Sequence, residues 1–227
     1  MQWTIYCDFD GTIAVEDVTD SVLSRFALPG WEAIEAEWEA GHIGSRECML
    51  RQVAMIRASR AELDRHLDGI EIDPWFPAFV GACEEAGIEL TVVSDGIDYA
   101  IGRILGRHGL SHLKVVANRL EILDGDRYRL TFPYANEACM KASGTCKCKV
   151  AGAAQAQARM SLLIGDGTSD MCAASAVDLV FAKDKLLTFC REERLPVVPY
   201  RHFGDVTRLL DTLVNEPVRL GVAGAAE

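Results

Sequence analysis

The chain has 227 residues, 49% of them hydrophobic and 25% charged, enough for a real core in one large domain or a domain with a small accessory unit. Its 34 acidic side chains outnumber 23 basic ones, for a formal net charge of −11, which works against a nucleic-acid partner. No apolar run approaches the ~20 residues that span a bilayer, and no basic, then apolar, leader opens the chain. The expectation is a soluble, cytoplasmic protein with no membrane partner.

Residues 3–9 form a short apolar run that ends in acidic residues and a glycine, which predicts a buried strand entering a functional loop. Residues 14–74 then read as helical. Trp31, Ile34 and Trp38 make an amphipathic stripe, and the tryptophans read as packing between helices. Gly41 and Gly44 break that pattern, and a second one runs through Cys48, Leu50, Val53 and Ile56. Ser59 and Glu62 have the spacing of a capping box that opens a third helix.

From residue 75 onward helix and strand alternate. Helix is predicted at 75–86, 97–108, 149–158, 168–176, 185–192 and 203–213. Strand is predicted at 88–93, 113–118, 161–164, 179–182 and 197–199, with a hairpin of 120–123 and 128–132 around Asp124-Gly125. Such alternation predicts an α/β fold, a Rossmann-like doubly wound parallel sheet. The core is then residues 1–13 and 75–214, with a small all-helical cap at 14–74 and a flexible tail at 215–227.

Four polar motifs fall where this architecture places ligands, at the carboxyl ends of strands. Asp8-Phe9-Asp10-Gly11-Thr12 brings two carboxylates close together, and such a pair needs a cation or a shared proton. Ser94-Asp95-Gly96 offers a hydroxyl and backbone N–H groups for an oxyanion. Lys149 opens a predicted helix, and Gly165-Asp166-Gly167-Thr168-Ser169-Asp170 follows another apolar strand. Each motif alone is weak. Together, three carboxylates suit Mg²⁺, while a hydroxyl, an ammonium and N–H groups suit a phosphoryl group.

The order DFDGT, VVSDG, a lone lysine and IGDGTSD resembles the four motifs of the haloacid dehalogenase-like phosphatases, and the helical insert resembles their C1-type cap. The resemblance covers about residues 3–213. Within that superfamily the phosphoserine phosphatase-like branch fits. The segments CDFDGTIAVEDVTD, PGWEAIEAEWEAGHIG and FPYANEACMKASGTCKCK are particularly similar to the family of 2-hydroxy-3-keto-5-methylthiopentenyl-1-phosphate phosphatases of methionine salvage.

The resemblance implies a Mg²⁺-dependent phosphomonoesterase for a small phosphorylated metabolite. Asp8 would be the nucleophile and Asp10 the general acid and base. Ser94 and Lys149 would bind phosphoryl oxygens, helped by N–H groups at Gly11 and Gly96. Mg²⁺ would be held by Asp8, the Asp10 carbonyl and Asp166, with Asp170 orienting a metal-bound water or the lysine. Specificity would come from the cap. Phosphoserine phosphatases carry an acidic residue, usually Glu, nine positions after the nucleophile; here it is Asp17, one methylene shorter, beside Glu16. Arg51, with Arg46 and Arg57, could reach a substrate carboxylate or carbonyl. Asp95 is unhelpful beside a phosphate unless it points away, and the sequence offers no account of it.

Eight cysteines without a leader argue against disulfides. Cys7, Cys48, Cys83, Cys172 and Cys190 read as small buried hydrophobes. Cys139, Cys146 and Cys148 cluster in a polar loop and carry three readings. They are a soft-metal site completed by His42, Cys7 or a carboxylate, a redox pair, or free thiols beside the site. The five histidines show no paired metal spacing and read as structural or solvated.

The alternatives are a phosphoserine phosphatase or another small-ester phosphatase, a phospho-acceptor signalling domain, a non-catalytic regulator and a dehalogenase. Receiver domains are about half this length and lack a cap, intact motifs argue against a regulator, and the second aspartate of the first motif favours phosphate over halide. The apolar cap surface could also serve a homodimer.

Overall fold

The computed structural model describes residues 2–123, 126–155 and 159–215. The predicted turn at Asp124-Gly125, residues 156–158 of the predicted 149–158 helix and residues 216–227 of the expected tail lie outside them. Among the described residues no helix is long and apolar enough to cross a membrane.

Strand β1 (Trp3–Cys7) is buried along its whole length because both faces of the sheet are covered. Side chains alternate across it: Trp3, Ile5 and Cys7 join the larger apolar cluster, and Tyr6 joins the smaller one on the opposite face. The other strands are β2 (Glu89–Ile97), β3 (Lys114–Ile122), β4 (Tyr128–Thr131), β5 (Met160–Gly165), β6 (Leu179–Ala182) and β7 (Val197–Pro199). Their order is β4-β3-β2-β1-β5-β6-β7, all parallel except β4, which pairs antiparallel to β3 at one edge. The chain order reverses at β1, between β2 and β5, and opens a crevice at the carboxyl ends of those strands.

Helices α1 (Val18–Phe26), α2 (Trp31–Glu39), α3 (Ser45–Val53) and α4 (Arg60–Leu67) form the insert. Asp17 caps α1 by accepting from the Asp20 N–H, and Ser59 with Glu62 closes the expected capping box on α4. The chain leaves and returns side by side, with an antiparallel bridge between Ala14 and Ile72 and a bond from Val15 N–H to the Glu71 carbonyl. Val18, Val22, Leu23, Leu63 and Leu67 belong to the same apolar cluster as one face of the sheet. The half of the insert built from α1 and α4 therefore shares the main core. Tyr128 Oη donates to the Ala58 carbonyl at 2.7 Å, and Arg103 on a core helix grips Asp68 at 2.6 and 2.8 Å.

The remaining helices are α5 (Phe76–Glu85), α6 (Asp98–Arg107), α7 (Lys147–Gln155), α8 (Met171–Ala174), α9 (Asp184–Glu192) and α10 (Phe203–Asn215). The strand expected at 88–93 runs on to Ile97, and the helix expected at 168–176 is a 3-10 turn at Thr168–Asp170 followed by the short α8; two further shifts bear on the site. The strands expected at 113–118 and 120–123 are one strand, because Asn118, a polar residue that looked like a break, is fully buried and bonded within the sheet. Helix α7 begins at Lys147, two residues before its predicted start, and that shift changes which lysine faces the site.

Candidate active site

Asp8 follows β1 directly, and only 4% of it is exposed. Its partner is Lys147, whose Nζ lies 2.7 Å from Asp8 Oδ1, 2.7 Å from Asp170 Oδ1 and 2.9 Å from Ser169 Oγ. Lys147 is itself 3% exposed, so one buried ammonium is shared by two buried carboxylates. Burial works to lower the Lys147 pKa, but Asp170 and Asp8 overcome it and hold the group well above the usual lysine range. Burial, with the charge of Asp170, raises Asp8 well above the usual carboxylate range, against the opposing pull of Lys147.

Asp10 sits in different surroundings. Its Oδ1 accepts from the Val18 N–H at 2.9 Å and its Oδ2 from Ser94 Oγ at 3.2 Å. Burial, then the charge of Asp17, pushes its pKa up to about 7 against those two bonds and Lys147. Two carboxylates two residues apart are thus separated, one paired with an ammonium and the other poised near neutrality.

Asp166 follows β5 directly and accepts from Thr12 Oγ1 at 2.7 Å. Carboxylate oxygens of Asp8, Asp166 and Asp170 lie within 4.8 Å of one another. The Asp10 side chain is turned away from this trio toward Ser94. Asp170 is fully buried, its Oδ2 accepting from the N–H groups of Asp166 and Gly167 at 3.3 Å each.

Several expectations need correction. Lys149 is exposed, and Lys147 takes the place expected for it. Both lie in the first turn of α7, and the helical phase turns Lys147 inward. Arg51 is not in the cavity, since Glu37 holds it in a fork at 2.7 and 3.0 Å and Glu47 lies 3.7 Å away. Arg46 pairs with Glu137, and Arg57 donates to the carbonyls of Ala54 and Ile56. The N–H of Gly11 donates to the Glu16 carbonyl, and that of Gly96 to Ser94 Oγ at 2.8 Å, so both are engaged within the chain. These glycines matter for space. A Cβ on Gly11, whose φ is +68°, would sit 2.6 Å from Asp166 Oδ2, and one on Gly96 2.5 Å from Asp10 Oδ2.

Asp95 stands at the same crevice, but its carboxylate is bonded within the chain. It accepts from the Thr145 N–H at 2.8 Å, Asn118 Nδ2 at 3.1 Å and Ser45 Oγ, joining β2 to the segment before α7 and to the start of α3.

A cavity of about 210 Å³ lies over these groups. Asp8, Asp10, Ser94 and Asp166 form its floor; Asp17, Asp20, Glu35, Trp38, Cys48, Met49 and Gln52 line it from the insert. Trp38 is therefore a wall of the site and not only packing. No lysine or arginine lines the insert's side of the cavity among the described residues.

The haloacid dehalogenase-like hydrolase family model matches residues 5–175. The chain belongs to this family. A 2-hydroxy-3-keto-5-methylthiopentenyl-1-phosphate phosphatase of Brevibacillus brevis is 30% identical over 94% of this chain and 97% of its own length. A protein of the same name from Geobacillus kaustophilus is also 30% identical, over 93% and 97%. Among solved structures, a phospho-aspartyl intermediate analogue of phosphoserine phosphatase has a TM-score of 0.69 at 18% identity, over 92% of this chain and 98% of that one. This hydrolase thus has the seven-stranded fold of that family, and three of the four motifs read from sequence lie around one crevice, with Lys147 in the place expected of Lys149.

Proposed function

We propose that this hydrolase is a Mg²⁺-dependent phosphomonoesterase and that its substrate is 2-hydroxy-3-keto-5-methylthiopentenyl-1-phosphate, the compound named in its curated relatives. The observation that carries the catalytic half is the divergence of Asp8 and Asp10 at the end of one strand.

Asp8 attacks phosphorus, and the bond from phosphorus to the ester oxygen breaks. Asp10, with a pKa of about 7, gives its proton to that oxygen as it leaves. Water then attacks phosphorus of the aspartyl-phosphate, Asp10 takes its proton, and phosphate and free Asp8 result. Lys147 and Ser94 stand beside the reacting carboxylates, where an ammonium and a hydroxyl meet phosphoryl oxygens.

The trio Asp8, Asp166 and Asp170 is an all-oxygen donor set of the kind a hard divalent cation takes. Asp8 and Asp166, with the Asp10 carbonyl, would hold Mg²⁺, and Asp170 would steady Lys147. When bound, the ion neutralises charge on the phosphoryl group and on Asp8.

The substrate half rests on the insert's side of the cavity. Trp38, Met49 and Cys48 suit an apolar methylthio tail. Phosphoserine presents an ammonium, which Asp17, Asp20 and Glu35 could meet, but also a carboxylate, for which this surface offers no cation among the described residues. A small soluble metabolite as substrate is consistent with work in the cytoplasm. Residues 14–74 act as the cap that closes over the substrate.

The test is phosphate release from a panel of small esters, with and without Mg²⁺, that includes the enol phosphate and phosphoserine. The reading predicts Mg²⁺-dependent release with the enol phosphate preferred. Preference for phosphoserine would overturn the substrate, and no Mg²⁺-dependent release from any ester would overturn the activity.

A further inference from the structure

Helix α3 faces two ways. Along its length Ser45, Cys48, Met49 and Gln52 line the cavity from the insert's side. Its first turn rests on residues 132–146, the irregular segment that runs from β4 into α7. The Arg46 N–H donates to the Ala142 carbonyl at 3.1 Å, and the Arg46 guanidinium meets Glu137 at 3.1 Å. Gly44 lies so close that a Cβ there would be 2.5 Å from Ala142 Cβ. Ala142 itself holds φ at +45°, a conformation that a side chain rarely adopts unless its neighbours impose it.

Asp95 meets the same contact from the core. Its Oδ2 accepts from Ser45 Oγ at the start of α3, and its Oδ1 accepts from the Thr145 N–H at 2.8 Å. Thr145 Oγ1 donates to Asn118 Oδ1 at 3.1 Å, and the Cys146 N–H donates to the Tyr134 carbonyl at 3.1 Å. Thr145 and Asn118 are buried, so water does not compete for these bonds. Lys147 comes two residues after Thr145, and its Nζ reaches Asp8, Asp170 and Ser169. One carboxylate therefore ties the helix that faces the substrate to the backbone that delivers the ammonium.

We propose that Ser45 and Asp95 are positioning residues, whose bond couples the seat of α3 over the substrate to the placement of Lys147 beside Asp8. Neither touches the reacting phosphorus; both act through Thr145 and the start of α7.

The two ends of α3 are held differently. Its last residue, Val53, belongs to the main apolar cluster, whereas its first turn is held by polar contacts to Asp95, Ala142 and Glu137. A change at Ser45 thus acts on the end that bears on Lys147. Contacts between a substrate's tail and α3 favour the arrangement that also sets the ammonium, so remote binding raises kcat as well as lowering KM. The catalytic part of this inference rests on the proposed phosphatase reading; the coupling of α3 to Thr145 does not.

The test uses the full chain carrying Ser45→Ala, Gly44→Ala or the pair Gly44→Ala/Ala142→Gly. The first removes the hydroxyl. The second, at a φ of −82° that any residue adopts, drives a methyl into Ala142, and the pair takes the opposing methyl away. Amide hydrogen exchange, read by NMR without substrate, should be about tenfold faster at the Thr145 N–H in each single variant. The Leu162 and Ile164 amides should not change, and the pair should return Thr145 toward wild type. With the enol phosphate, Ser45→Ala should lower kcat about tenfold with little change in KM, and Ser45→Thr should keep kcat. Adding Ser45→Ala to Lys147→Ala should cost little further, because both act on one group. Thr145 exchange unmoved by either single variant, or equal acceleration at Leu162 and Ile164, would overturn the coupling. A loss of kcat that adds in full to that of Lys147→Ala would overturn the positioning role. Coupled exchange in a chain that hydrolyses no ester would support the coupling and overturn the phosphatase reading instead.

Discussion

Lys147 carries more of the site than any other single side chain. Replacing it with Ala leaves Asp8 and Asp170 facing each other in a buried space without their shared cation, which typically costs about 3–5 kcal/mol of stability. Turnover should fall by about 10²-fold or more, while Lys149→Ala, a change on the surface, should leave it near wild type. Steady-state kinetics on both variants check this assignment; equal losses would contradict it. Asp8→Asn should abolish turnover and keep the fold, as read by circular dichroism. The sequence announced a lysine here, but it could not choose between two separated by one cysteine. Only the start of α7, and so the phase of its first turn, decides which faces inward. The arginines failed for a similar reason: their acidic partners, Glu37 and Glu137, lie on other elements, out of reach of any spacing rule.

At the scale of elements, the acidic tip of β2 explains its own oddity. Asp95 ties β2, the segment before α7 and the start of α3 together through Thr145, Asn118 and Ser45. Asp95→Ala would strand the Thr145 N–H and remove one of the two bonds of Asn118 Nδ2, at a cost of about 1–3 kcal/mol. The loss should appear as a lower thermal midpoint, with turnover at saturating substrate reduced less than in Lys147→Ala. The insert supplies the substrate wall. Trp38→Ala should raise KM for the methylthio substrate by about tenfold, roughly 1.4 kcal/mol, with a smaller effect on phosphoserine. Tryptophan at helical spacing reads as packing in any sequence. That one of the insert's pair faces a cavity depends on how α2 and α3 lean over the sheet, which periodicity does not encode.

Across the whole molecule, the alternation of strands and helices was legible because parallel strands covered on both faces are apolar runs broken by amphipathic helices. The three acidic and hydroxyl motifs were legible because strand ends at a topological switch point collect polar residues, whereas the lysine sits on a helix. What stayed hidden were long-range contacts, among them the bonds of Asp95 to Thr145 and Ser45. The concentration of buried acid also has a global consequence. Asp8, Asp10, Asp17 and Asp166 all have pKa values raised chiefly by burial. A carboxyl with a raised folded pKa holds its proton where the unfolded chain has released it, so stability is lost as pH rises. For Asp10 that window runs from about 4 to about 7. In a chelator the thermal midpoint should therefore fall between pH 5 and pH 7.5, and Mg²⁺ should restore more of it at pH 7.5. A midpoint that rises over that interval in chelator would contradict the electrostatic account.

The central claim is that Asp8 becomes phosphorylated during turnover. Acid quenching of the enzyme during the first turnover with Mg²⁺ and the enol phosphate, followed by mass analysis of its peptides, tests it directly. The account predicts one added phosphoryl group on the peptide that contains Asp8, absent from the Asp8→Asn variant. Phosphate released with no labelled peptide, or a label on a peptide without Asp8, would contradict it.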